Sequence, residues 1–243
     1  MVETKNNKIN LFTNPNKDKV ANKKIGESFL NLEDQVYEII KDKIIWHKIK
    51  MGERVIDKKL AEELGVSRSM VRQVLTIFVK EELLIMVPRN GFYVREITEK
   101  EIEGIYNIRK ILEAYATELA VPKINSRDIA EVEEVFKKAK TDIEKEKVKS
   151  FIETDAKLHK LLINNCGNEY LKKTINGYNN RYAFYRVVDL SRVERAKESY
   201  FEHYEIFEAV KKKNVKLSAE LMTKHIENAK NIILKNFDNY TFG

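Results

Sequence analysis

The amino-acid sequence predicts a mainly helical chain with one short β-hairpin near residue 90. Only three prolines and eight glycines interrupt its 243 residues, which favours long regular elements. Most stretches that carry apolar residues repeat them at i, i+3, i+4 and i+7, the spacing of an amphipathic helix. Residues 83–94 alone combine apolar runs with a turn signal between them. We therefore expect helices packed on helices, with a small sheet in the N-terminal half.

The composition is that of a globular protein. Hydrophobic residues make up 43% and charged residues 34% of the chain, which provides ample material for a core. No apolar run approaches the length of about 18 residues that a membrane span needs, and the first residues do not resemble a signal peptide. The single cysteine, Cys166, excludes an internal disulfide and fits a reducing cytosol. We expect a cytoplasmic protein without a membrane partner.

Residues 1–26 are rich in Asn and Lys and have no apolar period, which predicts a flexible basic tail. Such a tail either adds non-specific phosphate contacts or has no role of its own. The first predicted helix spans about residues 32–48. Its apolar stripe consists of Leu32, Val36, Ile39, Ile40 and Ile44.

Residues 57–94 predict two short helices, a tight turn between them and a hairpin. Gly65 suits the end of the first helix, and Ser67 is a good N-cap for the second. The second helix has an apolar side formed by Val71, Val74, Leu75 and Phe78. Its opposite side shows Arg68, Ser69, Arg72 and Gln73. Strands at 83–87 and 92–94, joined by a turn at 88–91, follow directly.

This order is typical of a winged helix-turn-helix, whose second helix enters the major groove of DNA. Arginine suits base reading because its planar fork can bind guanine O6 and N7 together. The predicted DNA-contacting residues are Lys58, Ser67, Arg68, Ser69, Arg72, Arg89, Asn90 and Gly91. We assign base reading to Arg68 and Arg72, phosphate contacts to Lys58 and Ser67, and the backbone or minor groove to the wing. The alternative is a helical hairpin with merely solvated arginines.

Residues 32–97 resemble the DNA-binding domain of GntR-family transcriptional regulators. The specific part of the resemblance is Gly65-Val-Ser-Arg-Ser-Met-Val-Arg-Gln-Val-Leu75. Two positions depart from the family pattern: Met51 stands where the family usually has Pro, and Gln73 where it usually has Glu. Neither change removes a basic residue. The resemblance implies a DNA-binding domain at residues 27–97, with an operator that could differ from those of better-known relatives.

The net charge of +7 suits a nucleic-acid partner but supports it only weakly. Residues 26–97 hold twelve basic and twelve acidic side chains, so this region has no net charge. The prediction of DNA binding therefore depends on where the charges lie.

Residues 98–243 predict an antiparallel, all-helical bundle of six or seven helices, large enough to hold a cavity. Thr98 and Glu101 have capping-box spacing at its start. The six expected helical stretches are about 98–121, 126–145, 148–165, 168–188, 191–213 and 215–237. A second capping-box pattern, Ser191–Glu194, opens the fifth stretch.

Four residues of this bundle form a candidate metal site. Asp155 and His159 are four residues apart, so they share one helix face, while His203 and His225 lie on the last two helices. One carboxylate and three imidazoles suit a divalent ion, with zinc as the first candidate and nickel or manganese as alternatives. Such residues can equally be core or surface groups with ordinary hydrogen bonds.

Residues 98 to about 235 resemble the FCD effector domain of the FadR subfamily of GntR regulators. The matching elements are Arg109-Lys-Ile-Leu-Glu113, Asp155 with His159, Gly167-Asn168, Glu202-His203 and His225. In metal-binding FCD domains these Asp and His positions are the ligands, and the metal anchors a small carboxylate effector. We therefore name Arg109 as a candidate effector-binding residue, and Arg186 as a second, with Arg181 as the alternative to Arg186. Arg109 could instead form a structural ion pair with Glu113.

The sequence thus predicts a non-enzymatic regulator, most simply a homodimeric repressor bound to a short palindromic operator and released by a metabolite. Two alternatives stay open. One is a metal-dependent hydrolase, because an Asp–His₃ centre with open positions can activate water. The other is a regulator of the same subfamily that binds an acyl ligand without metal, which the intact Asp and His set disfavours.

Overall fold

The computed structural model describes residues 31–144, 149–189 and 193–237. Within these ranges the chain forms ten helices and three short strands, so the expectation of a mainly helical fold is confirmed. The predicted tail at 1–26 lies outside the described residues, as does most of the Ser191–Glu194 pattern. The described chain divides into two compact units. One comprises residues 98–179 and 188–237, and the other comprises residues 31–97 and 180–187.

The winged unit begins with three helices and a three-stranded sheet. Its elements are α1 (Leu32–Ile45), β1 (Arg54–Val55), α2 (Asp57–Leu64), α3 (Arg68–Lys80), β2 (Leu84–Val87) and β3 (Gly91–Val94). The sheet order is β1-β3-β2, with both pairs antiparallel. Val55 pairs with Phe92 and Leu84 with Val94. Sequence patterns did not predict β1, because a two-residue strand carries no period.

Local chemistry sets the helix ends of this unit. Gly65 adopts a left-handed conformation, with φ of 66°, and its N–H donates to the Ala61 carbonyl. Ser67 Oγ accepts the Met70 N–H at 3.2 Å. These two features stop α2 and start α3 within three residues, as the sequence predicts. The buried side of α3 packs against α1, where the Tyr37 ring stacks on Phe78 at 4.7 Å between centroids.

The helical unit contains long helices. They are α4 (Glu99–Ala120), α5 (Ser126–Glu144), α6 (Lys149–Asn165), α7 (Glu169–Asn176), α8 (Asn179–Asp189), α9 (Val193–Lys211) and α10 (Val215–Lys235). Thr98 and Glu101 form the predicted capping box. The expected single helix at 168–188 is two helices, α7 and α8, divided at Gly177 and Tyr178. Helix α8 runs through residues of both units.

Helix α4 lies at the centre of the helical unit. It packs along α10 and also against α6 and α7. Its inward side buries Ile102, Tyr106, Ala116 and Ala120, but it also buries the charged pair Arg109 and Glu113. None of the helices in the described ranges is both long and apolar enough to cross a bilayer.

Residues 180–187 of α8 belong to the winged unit through specific contacts. Asn180 Nδ2 donates to Tyr37 Oη at 2.7 Å and to Glu81 Oε2 at 2.8 Å. Arg181 pairs with Glu82 at 2.7 Å. The Phe184 ring lies 4.4 Å from the His47 ring, between centroids. The winged unit is therefore built from two separate pieces of the chain.

Candidate DNA-binding surface and candidate metal centre

Helix α3 has one fully buried side and one exposed side. Val71, Val74, Leu75 and Phe78 are each 0% exposed. The predicted DNA-contacting residues of this helix, Arg68, Ser69 and Arg72, are all exposed. The Ser67 hydroxyl is also exposed, although it already accepts the hydrogen bond that caps the helix. The packing thus leaves the basic N-terminal turn of α3 accessible from outside.

Asp57 holds both arginines. Its carboxylate lies 3.0 Å from Arg68 Nε and 2.8 Å from Arg72 Nη1. Burial alone raises the pKa of a carboxyl group, but hydrogen bonds from Arg72 and Arg68 outweigh this effect and lower the pKa of Asp57. Arg72 also lies over the Phe92 ring, 5.4 Å from its centroid. Both arginine side chains are therefore paired with one carboxylate on the exposed side of α3.

The wing is a tight hairpin. The Asn90 N–H donates to the Val87 carbonyl at 3.0 Å. Arg89 and Gly91 have φ angles of 65° and 97°, and both belong to the left-handed region. Arg89 and Asn90 are exposed at the tip. Arg54, which the sequence did not single out, adds a second guanidinium within about 4 Å of a Cβ placed at Gly91.

Lys58, on the first turn of α2, is also exposed. Its Nζ lies 3.9 Å from a carboxylate oxygen of Glu62, a long ionic contact. Its side chain is 75% exposed, so this contact contributes little.

The four predicted metal-site residues come together in the interior of the helical unit. Asp155 and His159 come from α6, His203 from α9 and His225 from α10, and all four are buried. One potential ligand atom from each lies within 4.8 Å of the others. His203 Nε2 is 3.0 Å from Asp155 Oδ1 and 3.2 Å from His159 Nε2. His159 Nε2 and Asp155 Oδ1 are 3.8 Å apart.

Each imidazole is oriented by an acceptor on its other nitrogen. His159 Nδ1 contacts a carboxylate oxygen of Glu113. His225 Nδ1 lies 2.7 Å from Glu202 Oε2. His203 Nδ1 lies 2.6 Å from the Ser199 carbonyl oxygen. Because carboxylates and carbonyls only accept, each Nδ1 carries the proton and each Nε2 of a neutral ring presents a lone pair.

These lone pairs make the site suitable for a cation. His203 Nε2 faces a carboxylate oxygen of Asp155 at 3.0 Å, an approach that is favourable with a proton on Nε2 or with a bound cation between the two atoms. Ligand atoms about 2.0–2.1 Å from one ion stand about 3.0–3.4 Å apart at right or tetrahedral angles. Two of the three separations that involve His159, His203 and Asp155 fall in this range, and 3.8 Å is a wider angle at the same ion.

The surroundings of His159 and His225 favour the neutral imidazole, and those of Glu113 and Glu202 favour the charged carboxylate. Burial, aided by the neighbouring His203, lowers the pKa of His225 to about 3. Burial also lowers the pKa of His159, although Glu113 opposes the effect. At Glu113 the charge of Arg109 and hydrogen bonds from His159 and Arg109 outweigh burial and hold the pKa of the carboxyl well below its usual range. Neutral imidazole is the form that binds metals.

Arg109 lies at the edge of this centre. Its Nε donates to Glu113 Oε1 at 2.6 Å, so the ion pair considered from the sequence is present. Its Nη2 is 3.4 Å from His159 Nε2, on the side of the lone pairs. The same guanidinium therefore both pairs with Glu113 and reaches the candidate site. The side chain of Arg186 lies outside the described residues.

Three orienting groups were missed as functional residues: Glu113, Ser199 and Glu202. Glu113 and Glu202 stood in the sequence beside residues already singled out, but nothing showed that they contact His159 and His225. One signal was available. Glu113 follows Arg109 by four residues, so a charged pair faces the interior of an otherwise apolar helix side. Arg195, 3% exposed, in turn lies 3.4 Å from Glu202.

Comparison with known families matches both units of the chain. Residues 32–94 match the family described as bacterial regulatory proteins, gntR family, and residues 104–228 match the FCD domain. HTH-type transcriptional regulator YdhC of Bacillus subtilis is 31% identical over 192 residues, which cover 79% of this chain and 86% of YdhC. HTH-type transcriptional regulator McbR of Escherichia coli is 32% identical over 139 residues, covering 57% of this chain and 62% of McbR.

Solved structures show the same fold. E. coli McbR/YncC has a TM-score of 0.75 at 23% identity, over 86% of this chain and 99% of that one. A transcriptional regulator GntR from Rhodococcus sp. RHA1 has a TM-score of 0.70 at 20% identity, over 84% and 97% of the two chains.

A winged helix-turn-helix joined to a helical domain with an inward-facing Asp and His cluster defines a class of bacterial regulators. The chain belongs to the GntR family of DNA-binding transcriptional regulators, in the FadR subfamily that carries an FCD domain. These families and relatives are regulators and not enzymes, which sets aside the metal-dependent hydrolase.

Proposed function

We propose that this regulator is a homodimeric repressor of a palindromic operator. A divalent metal and a small carboxylate metabolite, both bound in the helical unit, would lower its affinity for that operator. The observation that supports this proposal most directly is the convergence of three imidazoles and the Asp155 carboxylate, which bring one potential ligand atom each within 4.8 Å of the others in the interior of the helical unit. A bound cation would satisfy these buried atoms together, whereas without it they depend on protons and on the Arg109 guanidinium.

Asp155, His159, His203 and His225 would hold the metal, with zinc as the first candidate and nickel or manganese as alternatives. A bound divalent ion supplies positive charge and open coordination positions for a carboxylate. Glu113, Glu202 and the Ser199 carbonyl orient the three imidazoles toward it.

Arg109 would bind the effector carboxylate beside the metal. Burial works against the charge of this guanidinium, but Glu113 outweighs the effect and raises its pKa further, so Arg109 stays charged. Its Nη2 already points toward His159 Nε2. A carboxylate in an open position of the metal would lie within reach of this planar group, which can bind it through two hydrogen bonds. Arg186 remains the second candidate.

Arg68 and Arg72 would read base edges in the major groove. Lys58 and the N-terminal turn of α3 at Ser67 and Ser69 would contact phosphates. Arg89, Asn90 and Gly91 would place the wing on the backbone or in the minor groove. A coupling free energy of about 1–3 kcal/mol between effector and DNA suffices to change operator affinity roughly 5–150-fold.

Metal content tests the centre. Protein purified without a tag and examined by native mass spectrometry should carry one divalent ion per chain, or take one up from added zinc. His203→Ala should lose this ion. His47→Gln removes the one histidine outside the cluster and should leave the stoichiometry unchanged. Failure of the wild-type protein to bind zinc, nickel or manganese would overturn the metal assignment.

The effector role is tested on zinc-loaded protein with a panel of small mono-, di- and tricarboxylic acids. A binding acid should raise the unfolding temperature and lower affinity for a DNA duplex selected from a random library. Arg109→Gln should weaken acid binding while zinc remains bound. If the acids bind Arg109→Gln and the wild type equally well, Arg109 is only the partner of Glu113.

The DNA surface is tested with the same selected duplex. Arg68→Ala should lose about 1–3 kcal/mol of specific binding and keep its zinc. Arg127→Ala is the matched control, because Arg127 is 87% exposed on α5 of the other unit. Unchanged specific affinity of Arg68→Ala would contradict the recognition-helix assignment.

A further inference from the structure

The exposed side of α3 carries Gln73 beside the residues that would contact DNA. Ser69, Arg72, Gln73 and Thr76 follow each other at intervals of three, one and three residues, so they share one side of the helix. All four are exposed, and the buried apolar residues of α3 lie on the opposite side. Gln73 therefore belongs to the surface on which Arg72 would read bases.

Gln73 differs from its neighbours on this surface because its side chain is not engaged within the chain. Arg72 Nη1 pairs with Asp57 at 2.8 Å. Thr76 Oγ1 donates to the Arg72 carbonyl at 2.8 Å. Within the part of the chain that the structure describes, the Gln73 amide has no hydrogen-bond partner. Its donor and its acceptor are both available to a ligand.

Helix geometry brings the Gln73 amide close to the start of α3. Long side chains of a helix lean toward its N-terminus and lie over the preceding turn. The amide of Gln73 therefore comes to the level of Ser69, the second residue of the helix. In a helix-turn-helix, the N-terminal residues of the second helix contact base edges in the major groove. Gln73 thus lies within the part of α3 that can reach them.

The chemistry of a glutamine amide matches one base better than the other three. The amide offers an N–H donor and a carbonyl acceptor side by side. In the major groove, adenine presents the complementary pair, an N7 acceptor and an N6 amino donor, so both bonds form at once. Guanine presents two acceptors, cytosine a donor, and thymine an acceptor and a methyl group. Each of these leaves half of the amide without a partner.

We propose that Gln73 is a specificity-determining residue that binds an adenine in each half-site of the operator. Its Nε2 donates to adenine N7, and its Oε1 accepts a hydrogen bond from the N6 amino group. Arg68 or Arg72 binds a guanine in the same half-site. This inference rests on the DNA-binding role of α3 in the proposed function, but not on the metal or the effector.

Duplex selection with the full-length protein identifies the base that Gln73 contacts. Wild type and Gln73→Ala are each used to select duplexes from a random library. One adenine position of each half-site should lose its preference in Gln73→Ala, while the other positions keep theirs. At that position the wild type should favour adenine over the other bases by about tenfold or more, as expected of a bidentate contact. Gln73→Ala should bind all four duplexes with nearly equal affinity.

The contact with N7 is tested by a change of one atom in the DNA. The base 7-deazaadenine has a carbon in place of N7 and keeps its pairing with thymine. At the adenine assigned to Gln73, it should weaken binding of the wild type by about fivefold or more, because the amide donor loses its acceptor. Binding of Gln73→Ala should not change. The same replacement at an adenine outside the selected positions is the control and should affect neither protein.

Gln73→Glu separates base recognition from charge. A carboxylate only accepts hydrogen bonds, so the preferred base should change from adenine to cytosine, whose N4 amino group donates. Thr76→Glu is the matched control, because Thr76 is exposed about one turn further along the same side. It should lower affinity for all four duplexes alike and leave adenine preferred.

An unchanged preference for adenine in Gln73→Ala would overturn the inference. Equal weakening of wild type and Gln73→Ala by 7-deazaadenine would do the same. Arg68→Ala distinguishes this failure from a failure of the proposed function. If Arg68→Ala loses specific binding and Gln73→Ala binds as the wild type does, α3 reads DNA without Gln73. If both variants bind as the wild type does, α3 is not the recognition helix.

Discussion

The two candidate sites of this regulator differ in how far their polar side chains are exposed to solvent. In the winged unit, Asp57 orients Arg68 and Arg72 from eleven and fifteen residues away, and the arginine side chains are 61% and 50% exposed. In the helical unit, Glu113 and Glu202 orient His159 and His225 across different helices, and the imidazoles are nearly without solvent contact. In both arrangements a carboxylate lies against the candidate site residues.

Because one site is exposed and the other buried, the loss of a carboxylate partner has different consequences in the two units. An exposed arginine that loses its carboxylate is still solvated, so the local structure tolerates the change. A buried imidazole or guanidinium that loses its partner keeps an unsatisfied polar group in the interior. The winged surface can therefore adjust to DNA, whereas the centre in the helical unit keeps one geometry or fails.

Metal removal should produce the largest contrast between the units. At a metal concentration a thousand times the dissociation constant, binding stabilises the unit that holds the ion by about 4 kcal/mol. Denaturant unfolding after chelation should show this loss in the helical unit, while the winged unit keeps its stability. His203→Ala should not respond to the chelator. If chelation lowered the free energy of unfolding of the winged unit alone, the assignment of the metal to the helical unit would be wrong.

Glu113→Gln should show how far the centre depends on an orienting carboxylate. The change keeps the shape but removes the charge that fixes His159 and pairs with Arg109. We expect zinc affinity to fall about 10–100-fold in competition titrations with a chelator. Glu103→Gln, an exposed change on the same helix, is the control. Equal zinc affinity in both variants would show that His159 needs no partner.

Acidification should weaken the winged unit through His47. Burial lowers the pKa of His47 to about 4 from its ordinary value of 6.5. Below pH 6.5 the unfolded chain binds a proton that the folded chain does not, so stability is complete above that pH and falls toward pH 4. The expected loss between pH 7 and pH 5 is about 2 kcal/mol.

Urea unfolding of the winged unit at both pH values measures this loss. His47→Gln should flatten the dependence. An equally steep dependence in His47→Gln would assign the effect to other groups.

Asp57→Asn should give the smallest effect, a loss of specificity more than of affinity. Arg68 and Arg72 lose their anchor but keep their charge, so specific binding should weaken by about 1 kcal/mol or less. Non-specific binding should strengthen, with a salt slope steeper by about one unit or less. Fluorescence anisotropy with selected and random duplexes at several salt concentrations measures both. Glu63→Gln, on the same helix, is the control for charge alone.

Much of the winged unit could be predicted because its signals are local. Gly65, Ser67 and the apolar side of α3 all act within a few residues, and the structure places them as expected. The two-residue strand β1 could not be predicted, because its regularity exists only in its pairing with β3. The turn at Gly177 was missed because apolar residues continue at helical spacing on both sides of it.

The four residues of the candidate centre were singled out from the sequence, whereas the contacts of Glu113 with His159 and of Glu202 with His225 were not. Residue type and the i, i+4 spacing singled out Asp155 and His159, and resemblance added His203 and His225. The supporting contacts join residues 46 and 23 positions apart. No period in a sequence encodes such pairs, since they depend on how helices are rotated against each other. The domain boundary near residue 97 and the roles of the individual site residues stay predictions.

The discontinuous winged unit has a consequence for hybrid regulators. Asn180 bonds to Glu81 and Tyr37, which precede it by 99 and 143 residues, and Arg181 pairs with Glu82. A fragment cut after residue 97 removes these partners and uncovers the ring of His47 that packs on Phe184. A chimaera that fuses the winged unit to a foreign sensor domain should therefore include residues 180–187. Otherwise the side chains that these residues cover should be substituted by polar ones.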